Sequence, residues 1–214
     1  MVSNRQIIAF LKTKSASAGL IDTLKIRYRP LICPFGELFE YAKQGQKVCD
    51  IGCGSGQFSL LLTEFTDISF ILGIEINERL IQNARKLFAS DKRNFPAEFE
   101  LYDGVHFPKK MNECDLLYLI DVFHHVPRER QERFLRAIYD NMRPGARLVF
   151  KDINAASPLV VFNKIHDFVF SGEIGRERSS GYMNEAVQKI GFKIITTFKR
   201  VTAVYPHYFL ILEK

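Results

Sequence analysis

The sequence predicts an α/β protein: a doubly wound, seven-stranded, mostly parallel sheet with an antiparallel last strand, helices on both faces and a helical N-terminal segment. Three observations carry that prediction. From Lys47 onward, short apolar runs alternate with amphipathic stretches long enough to be crossover helices, which makes the strands pair in parallel. A glycine-rich turn, Asp50-Ile51-Gly52-Cys53-Gly54-Ser55-Gly56, lies between the first run and the first of those helices. The last two runs are joined by residues 199–206, a connection short enough for an antiparallel hairpin.

The elements follow in order. Residues 1–45 read as helices broken at Ser15-Ala16-Ser17-Ala18-Gly19 and at Pro30, and form a segment expected to close over the site. Residues 46–214 form the domain itself, beginning with a buried strand at 47–51 and a helix at 57–65. A second strand at 70–75 leads to a helix capped by Asn77, with Leu80, Ile81, Ala84, Leu87 and Phe88 on one face. Strands follow at 97–101 and 114–120. Pro127 opens a helix whose buried face is Phe134, Leu135, Ile138 and Met142, and Pro144-Gly145 ends it. A fifth strand occupies 146–151, and a helix at 184–190 precedes strands at 192–198 and 207–212. Before that helix, residues 155–181 read as a substrate-cap insertion, with Leu159, Val161, Phe162, Ile165, Phe168 and Val169 on one helix face. That face either packs onto the sheet in the ordinary way or lines a pocket for an apolar or acyl substrate.

Composition excludes several classes. A chain of 214 residues with 47% hydrophobic and 25% charged residues is globular and large enough for a real core. Four cysteines, Cys33, Cys49, Cys53 and Cys114, are too few and scattered for a disulfide framework. The run Ile7-Ile8-Ala9-Phe10-Leu11 is too short for a signal-peptide core, and no stretch reaches the roughly 20 apolar residues of a membrane span. A cytoplasmic location is expected. The net charge of +6 is uneven: residues 1–47 carry +5, 48–154 carry −2 and 155–214 carry +3. Basic flanks can steer an anionic partner or can be solvated faces. Nucleic acid is not the expected partner, because no stripe interleaves basic residues with aromatics.

The glycine turn lets backbone approach a ligand closely. Glu75 ends the second strand 19 residues beyond Gly56, where an acid can receive the two hydroxyls of a ribose. A dinucleotide fingerprint wants its third glycine where Gln57 stands, and Asp50 would repel a pyrophosphate while suiting a cationic cofactor. The plain alternative is a structural turn or a nucleotide site of another kind. Cys49 and Cys53 could be a metal pair, but Cys49 lies in a buried strand and no partner pair follows, so packing is the expected role and no metal is expected.

At these residues the chain resembles the class I S-adenosylmethionine-dependent methyltransferases of small-molecule type, whose first motif is an acidic residue followed by Gly-x-Gly-x-Gly. The resemblance covers about residues 46–152 and implies a Rossmann-like fold. It implies S-adenosyl-L-methionine as cofactor, S-adenosyl-L-homocysteine as product, and cofactor contacts from Asp50, Gly52, Cys53, Gly54, Gly56, Ile76, Ile120 and Asp121. Glu75 matches the acid that binds the ribose. Asp103-Gly104 matches the acidic position facing the adenine, although Asp-Gly is also a common turn. Cys114-Asp115-Leu116-Leu117-Tyr118-Leu119-Ile120 matches the fourth strand, and Met142 to Leu148 the turn before the fifth.

Methyl transfer from a sulfonium is an in-line displacement in which orientation alone can supply roughly 7–11 kcal/mol. An oxygen or carbon acid also needs a base, and His124 and His125, just past the fourth strand, are the candidates. Adjacent histidines seldom both face a crevice, so one of them is expected to be structural, and both could merely cap or fill space. By resemblance, a similar pair occurs in methyltransferases of small molecules such as quinone precursors. The segment Ile120-Asp121-Val122-Phe123 replaces the Asn/Asp-Pro-Pro-Tyr/Phe of enzymes that methylate base or glutamine amino groups, and no Pro-Cys supplies a cytosine nucleophile. The expected acceptor is a small organic molecule, apolar, acyl or carrier-bound, whose anionic group meets His166, Arg176 and Arg178. A domain that binds cofactor without turnover, or a nicotinamide-dependent oxidoreductase, are the other readings.

Overall fold

In a computed structural model, residues 2–14, 32–172 and 174–214 are described. The interruption expected at 15–19 and Pro30 lies outside them. Helix α1 (Asn4–Lys14) and the short α2 (Phe35–Phe39) precede β1 (Lys47–Ile51). Then follow α3 (Gln57–Phe65), β2 (Phe70–Glu75), α4 (Glu78–Ala89), β3 (Ala97–Leu101) and β4 (Leu116–Ile120). The chain continues through α5 (Gln131–Asn141), β5 (Arg147–Ile153), α6 (Val160–Ser171), α7 (Ser180–Ile190), β6 (Lys193–Thr202) and β7 (Tyr205–Glu213).

The seven strands form one sheet in the order β3-β2-β1-β4-β5-β7-β6. The first five run parallel, and β7 is antiparallel to both β5 and β6. Strand order reverses between β1 and β4, so the chain leaves their carboxyl ends in opposite directions and opens a crevice there. The inner strands β1, β2, β4 and β5 are covered on both faces, whereas at the edge β3 only Phe99 is buried. In β4 every residue is buried, with Leu117 and Leu119 in one core and Leu116, Tyr118 and Ile120 in the other, the period of two that a strand imposes. Burying a Leu or Phe side chain in such a core contributes about 1.5–3 kcal/mol.

The core on one face joins α5 and α7, through Phe134, Leu135, Ile138, Met183 and Val187. The other takes Ile7 and Leu11 of α1, one helical turn apart, with Phe35, Leu38 and Phe58. Tyr118 packs edge-on against Phe58 and donates its hydroxyl to the Leu38 carbonyl at 2.7 Å. The described part of the N-terminal segment is thereby integrated into the sheet's core.

Differences from expectation have local causes. Pro127 sits at ψ 137°, so it opens a 3-10 turn at Arg128–Arg130, and the α-helix begins only at Gln131. Residues 109–113 also form a 3-10 turn, which delays β4 to Leu116. Helix α7 starts four residues early because Ser179 accepts from the Tyr182 amide as N-cap. The closing hairpin is longer than expected and leaves only Ala203 and Val204 as its connection. Asn77 caps α4 as expected, accepting from the Leu80 amide.

The expected helix over the apolar run exists as α6, but it is inverted. Val161, Phe162, Ile165, Phe168 and Val169 are 42–66% exposed, whereas Asn163 and Asp167, one turn apart, are buried.

Candidate active site

The loop after β1 is shaped by its glycines. Gly52 has φ +73°, and a Cβ there would sit 2.5 Å from Cγ2 of Val122. Gly54, at φ +56°, would meet nothing within 4 Å, so its open side faces space. Gly56 is the left-handed N-cap of α3. Asp50 is buried beneath the loop and accepts from the Ser59 hydroxyl at 2.6 Å, tying β1 to α3. Cys53 is also buried, packs with Ile81, Ala84 and Phe99, and keeps a neutral thiol because burial pushes its pKa up.

Glu75 gathers the neighbouring backbone. Its Oε2 accepts from the Gly54 amide at 3.1 Å, and its Oε1 from Ile76 and Asn77 at 2.8 and 3.1 Å. A carboxylate offers about four acceptor directions, so with three occupied one remains for a ligand hydroxyl. Next to it, Ile76 and Val105 are exposed apolar side chains, with Ile76 3.6 Å from where a Cβ on Gly104 would lie. Asp103 accepts from the Val105 and His106 amides and pairs with His106 Nδ1, bonds that hold its carboxyl well below the usual range. An acceptor-only acid, an open glycine cradle and an exposed apolar shelf fit a nucleoside carrying a positive sulfonium. Gly54, Glu75, Ile76, Asp103 and Gly104 would hold it.

A second group lies past β4. Ile120 is buried at its end, and Asp121 adopts φ +55°, a conformation costly for a residue with a side chain. Both oxygens of Asp121 meet Lys151 Nζ, at 2.7 and 2.5 Å, and Lys151 is buried. Burial alone would raise the Asp121 carboxyl, but the Lys151 ammonium outweighs it and holds the group down to about 2. Nearby His207 is buried and donates Nε2–H to the Ile32 carbonyl at 2.7 Å.

His124 is buried and His125 exposed, their ring centroids 4.2 Å apart. The His124 amide donates to Asp152 Oδ2 at 3.0 Å, and its Nδ1 lies 2.5 Å from Asp152 Oδ1. Its Nε2 is 3.6 Å from Asp167 Oδ2. Burial works against the His124 cation, but the Asp152 carboxylate outweighs it, with Asp167 and Asp121 adding, and raises the imidazole to about 9. Burial, with Glu177 close by, pushes Asp167 up to about 6 against the pull of His124.

Among the expected acceptor-binding residues, Arg176 is exposed and its amide donates to the His124 carbonyl at 2.7 Å, which puts it beside the histidine pair. His166 is turned to the Tyr205 hydroxyl, 3.2 Å away. Arg178 lies elsewhere: its guanidinium donates to Gln131 Oε1 at 2.6 Å and lies over the Tyr182 ring, tying α5 to α7. Sequence reasoning missed Lys151 and Asp152 as site members. The available signal was Lys151-Asp152, two charges at the carboxyl end of the apolar strand Leu148-Val149-Phe150.

Residues 25–197 match the methyltransferase domain family. The chain belongs to that family. The methyltransferase domain is 24% identical over 178 residues to an O-methyltransferase of Aspergillus nomiae, covering 81% of this chain and 76% of that protein. A methyltransferase of Streptomyces halstedii is 28% identical over 109 residues, which span 51% of this chain and only 38% of that protein. A sterol 24-C-methyltransferase of Pneumocystis carinii is 27% identical over 166 residues, 72% of this chain and 41% of that protein. Magnesium protoporphyrin IX methyltransferase from Synechocystis, solved with bound S-adenosylhomocysteine, superimposes with a TM-score of 0.70 at 18% identity, covering 95% of this chain and 92% of that one. That likeness is one of fold. The expected fold class and S-adenosylmethionine as cofactor agree with the family, and the nicotinamide reading is set aside. No helix among the described residues is long and apolar enough to cross a membrane.

Proposed function

We propose that this methyltransferase domain methylates an acidic group, an oxygen first of all, on a small organic acceptor with an apolar or acyl portion, free or carrier-bound. S-adenosylmethionine supplies an electrophilic methyl group and leaves as S-adenosylhomocysteine. Gly54 and Glu75 hold the nucleoside, and the crevice between β1 and β4 directs its reactive end towards the histidine pair. The acceptor's acidic group comes to His124 and His125, of which His125 is the solvent-exposed imidazole. Arg176 steers an anionic part of the acceptor, and residues 155–181 serve as its cap. The N-terminal segment 1–45 closes over the cofactor, a role supported by the packing of α1 and α2 beside Phe58 and Tyr118. The domain works in the cytoplasm.

The observation that carries the acceptor class is the inverted helix. One side of α6 reaches His124 through Asp167, while its apolar side is open to solvent one helix diameter away, about 10 Å. Several matched relatives are O-methyltransferases, which supports oxygen as the atom modified.

The test is a turnover assay with radiolabelled S-adenosylmethionine and a panel of acyl, aromatic and hydrophilic hydroxy compounds, each free and as a carrier thioester. Acyl or aromatic acceptors should turn over, and an Ile165→Asn/Phe168→Ser protein should lose them while keeping cofactor affinity. Turnover of hydrophilic acceptors alone, or no effect of the double replacement, rejects the acceptor class. Binding of cofactor with no turnover of any acceptor would return the reading to an idle binding domain.

A further inference from the structure

We propose that His124, His125 and Asp167 form a site for one divalent transition-metal ion of the zinc or cobalt type, with Asp152 orienting the first ligand. The proposal departs from the sequence-based expectation of no metal. It deepens the acceptor reading above, since an ion there would hold and acidify an acceptor hydroxyl, but the site's existence does not depend on that reading.

Geometry carries the inference. One ligand atom from each of the three residues lies within 4.8 Å of the others. The 3.6 Å between His124 Nε2 and Asp167 Oδ2 is too long for a good hydrogen bond. It is close to the ligand–ligand edge of about 3.3 Å that a tetrahedral ion with bonds of about 2.0–2.1 Å requires. The third ligand atom, from the exposed His125, lies within 4.8 Å of both. Successive side chains in a 3-10 turn are about 120° apart, yet the turn at Phe123–His125 brings its two imidazoles to 4.2 Å.

The surroundings are those of a metal ligand set. With Nδ1 committed to Asp152, Nε2 is the ligating atom of His124, as in a carboxylate–histidine–metal arrangement. Asp167 is fixed by Asn163 Nδ2 at 2.8 Å, and Gly175 is needed beside it, because a Cβ would come within 2.8 Å of Asp167 Oδ2. Two imidazoles and a carboxylate favour zinc-like ions over magnesium or calcium. Three protein ligands with an exposed side leave a position for substrate.

The experiment titrates Co²⁺ into the chelator-stripped full chain and reads its visible ligand-field absorption. One equivalent should bind, with at least tenfold weaker binding in His125→Ala and Asp167→Asn and a 10–100-fold loss in Asp152→Asn. His106→Ala, which removes the separate His106–Asp103 pair, should bind Co²⁺ normally. Absence of the absorption in the wild type, or undiminished binding in His125→Ala, overturns the proposal. His125 is exposed, and S-adenosylmethionine titration of the same samples checks that its replacement leaves the fold intact. Cofactor binding without Co²⁺ binding rejects the metal site and leaves the methyltransferase reading standing. Co²⁺ binding without cofactor binding does the reverse.

Discussion

Oε2 of Glu75 accepts a hydrogen bond from the Gly54 amide at 3.1 Å across 21 residues of sequence. The acid that ends β2 and the loop that follows β1 are therefore one unit, and the carboxylate that would receive a ribose also holds the cradle in shape.

Replacement of Glu75 should be felt in cofactor binding. Glu75→Ala removes hydrogen bonds to a charged group, so S-adenosylmethionine affinity should fall by about 1.5–3 kcal/mol, roughly ten- to a hundredfold in Kd. Calorimetric titration measures it, and unchanged affinity would remove Glu75 from the site.

Two glycines of the loop should fail differently. Gly52→Ala forces a Cβ against Val122 at a left-handed φ, at a cost of about 2–5 kcal/mol from strain and overpacking. Gly54→Ala meets open space, so only the backbone cost of about 1–2 kcal/mol applies while cofactor binding is impaired. Urea unfolding alongside cofactor titration separates them, and Val122→Ala should restore part of the stability lost in Gly52→Ala. Equal stabilities for the two alanine proteins would contradict this account.

The two arginines before α7 should separate by readout. Arg176→Ala should raise the acceptor KM, with an effect that shrinks as salt is added. Arg178→Ala should cost about 1–2 kcal/mol of stability through its lost bond and ring contact, without a salt-dependent KM. Steady-state kinetics at two ionic strengths, with thermal unfolding, decide the matter.

Stability should fall in acid through His207. Burial, then the charge of Lys151, lowers this imidazole from 6.5 to about 3, against the opposing pull of Asp121. The native state keeps it neutral while the unfolded chain takes up a proton below pH 6.5, so the stability it contributes above that pH is lost as pH falls towards 3. Between pH 7.5 and 5 the loss is about 2 kcal/mol. Denaturant unfolding of the wild type and His207→Gln isolates it, because other groups titrate in both. Equal pH dependence in the two proteins would exclude His207 as the source.

The strands at 47–51, 70–75 and 97–101 and the helix at 57–65 have the bounds their residues predict, because strand–turn–helix signals are local. The shape of the candidate cofactor cradle was legible for the same reason: Gly52, Gly54 and Glu75 come together through short turns at strand ends. The partners of His124 were not legible. Asp152 lies 28 residues away and reaches it through the pairing of β4 with β5, and Asp167 arrives on a separate helix. Helical spacing likewise marks the two sides of α6 without saying which is buried. Asn163 and Asp167 face inward because His124, Lys164 and Glu177 satisfy that polar side, directly or through one another. Periodicity is a property of the segment, whereas the burial of a charge depends on partners that only the folded chain brings within hydrogen-bonding range.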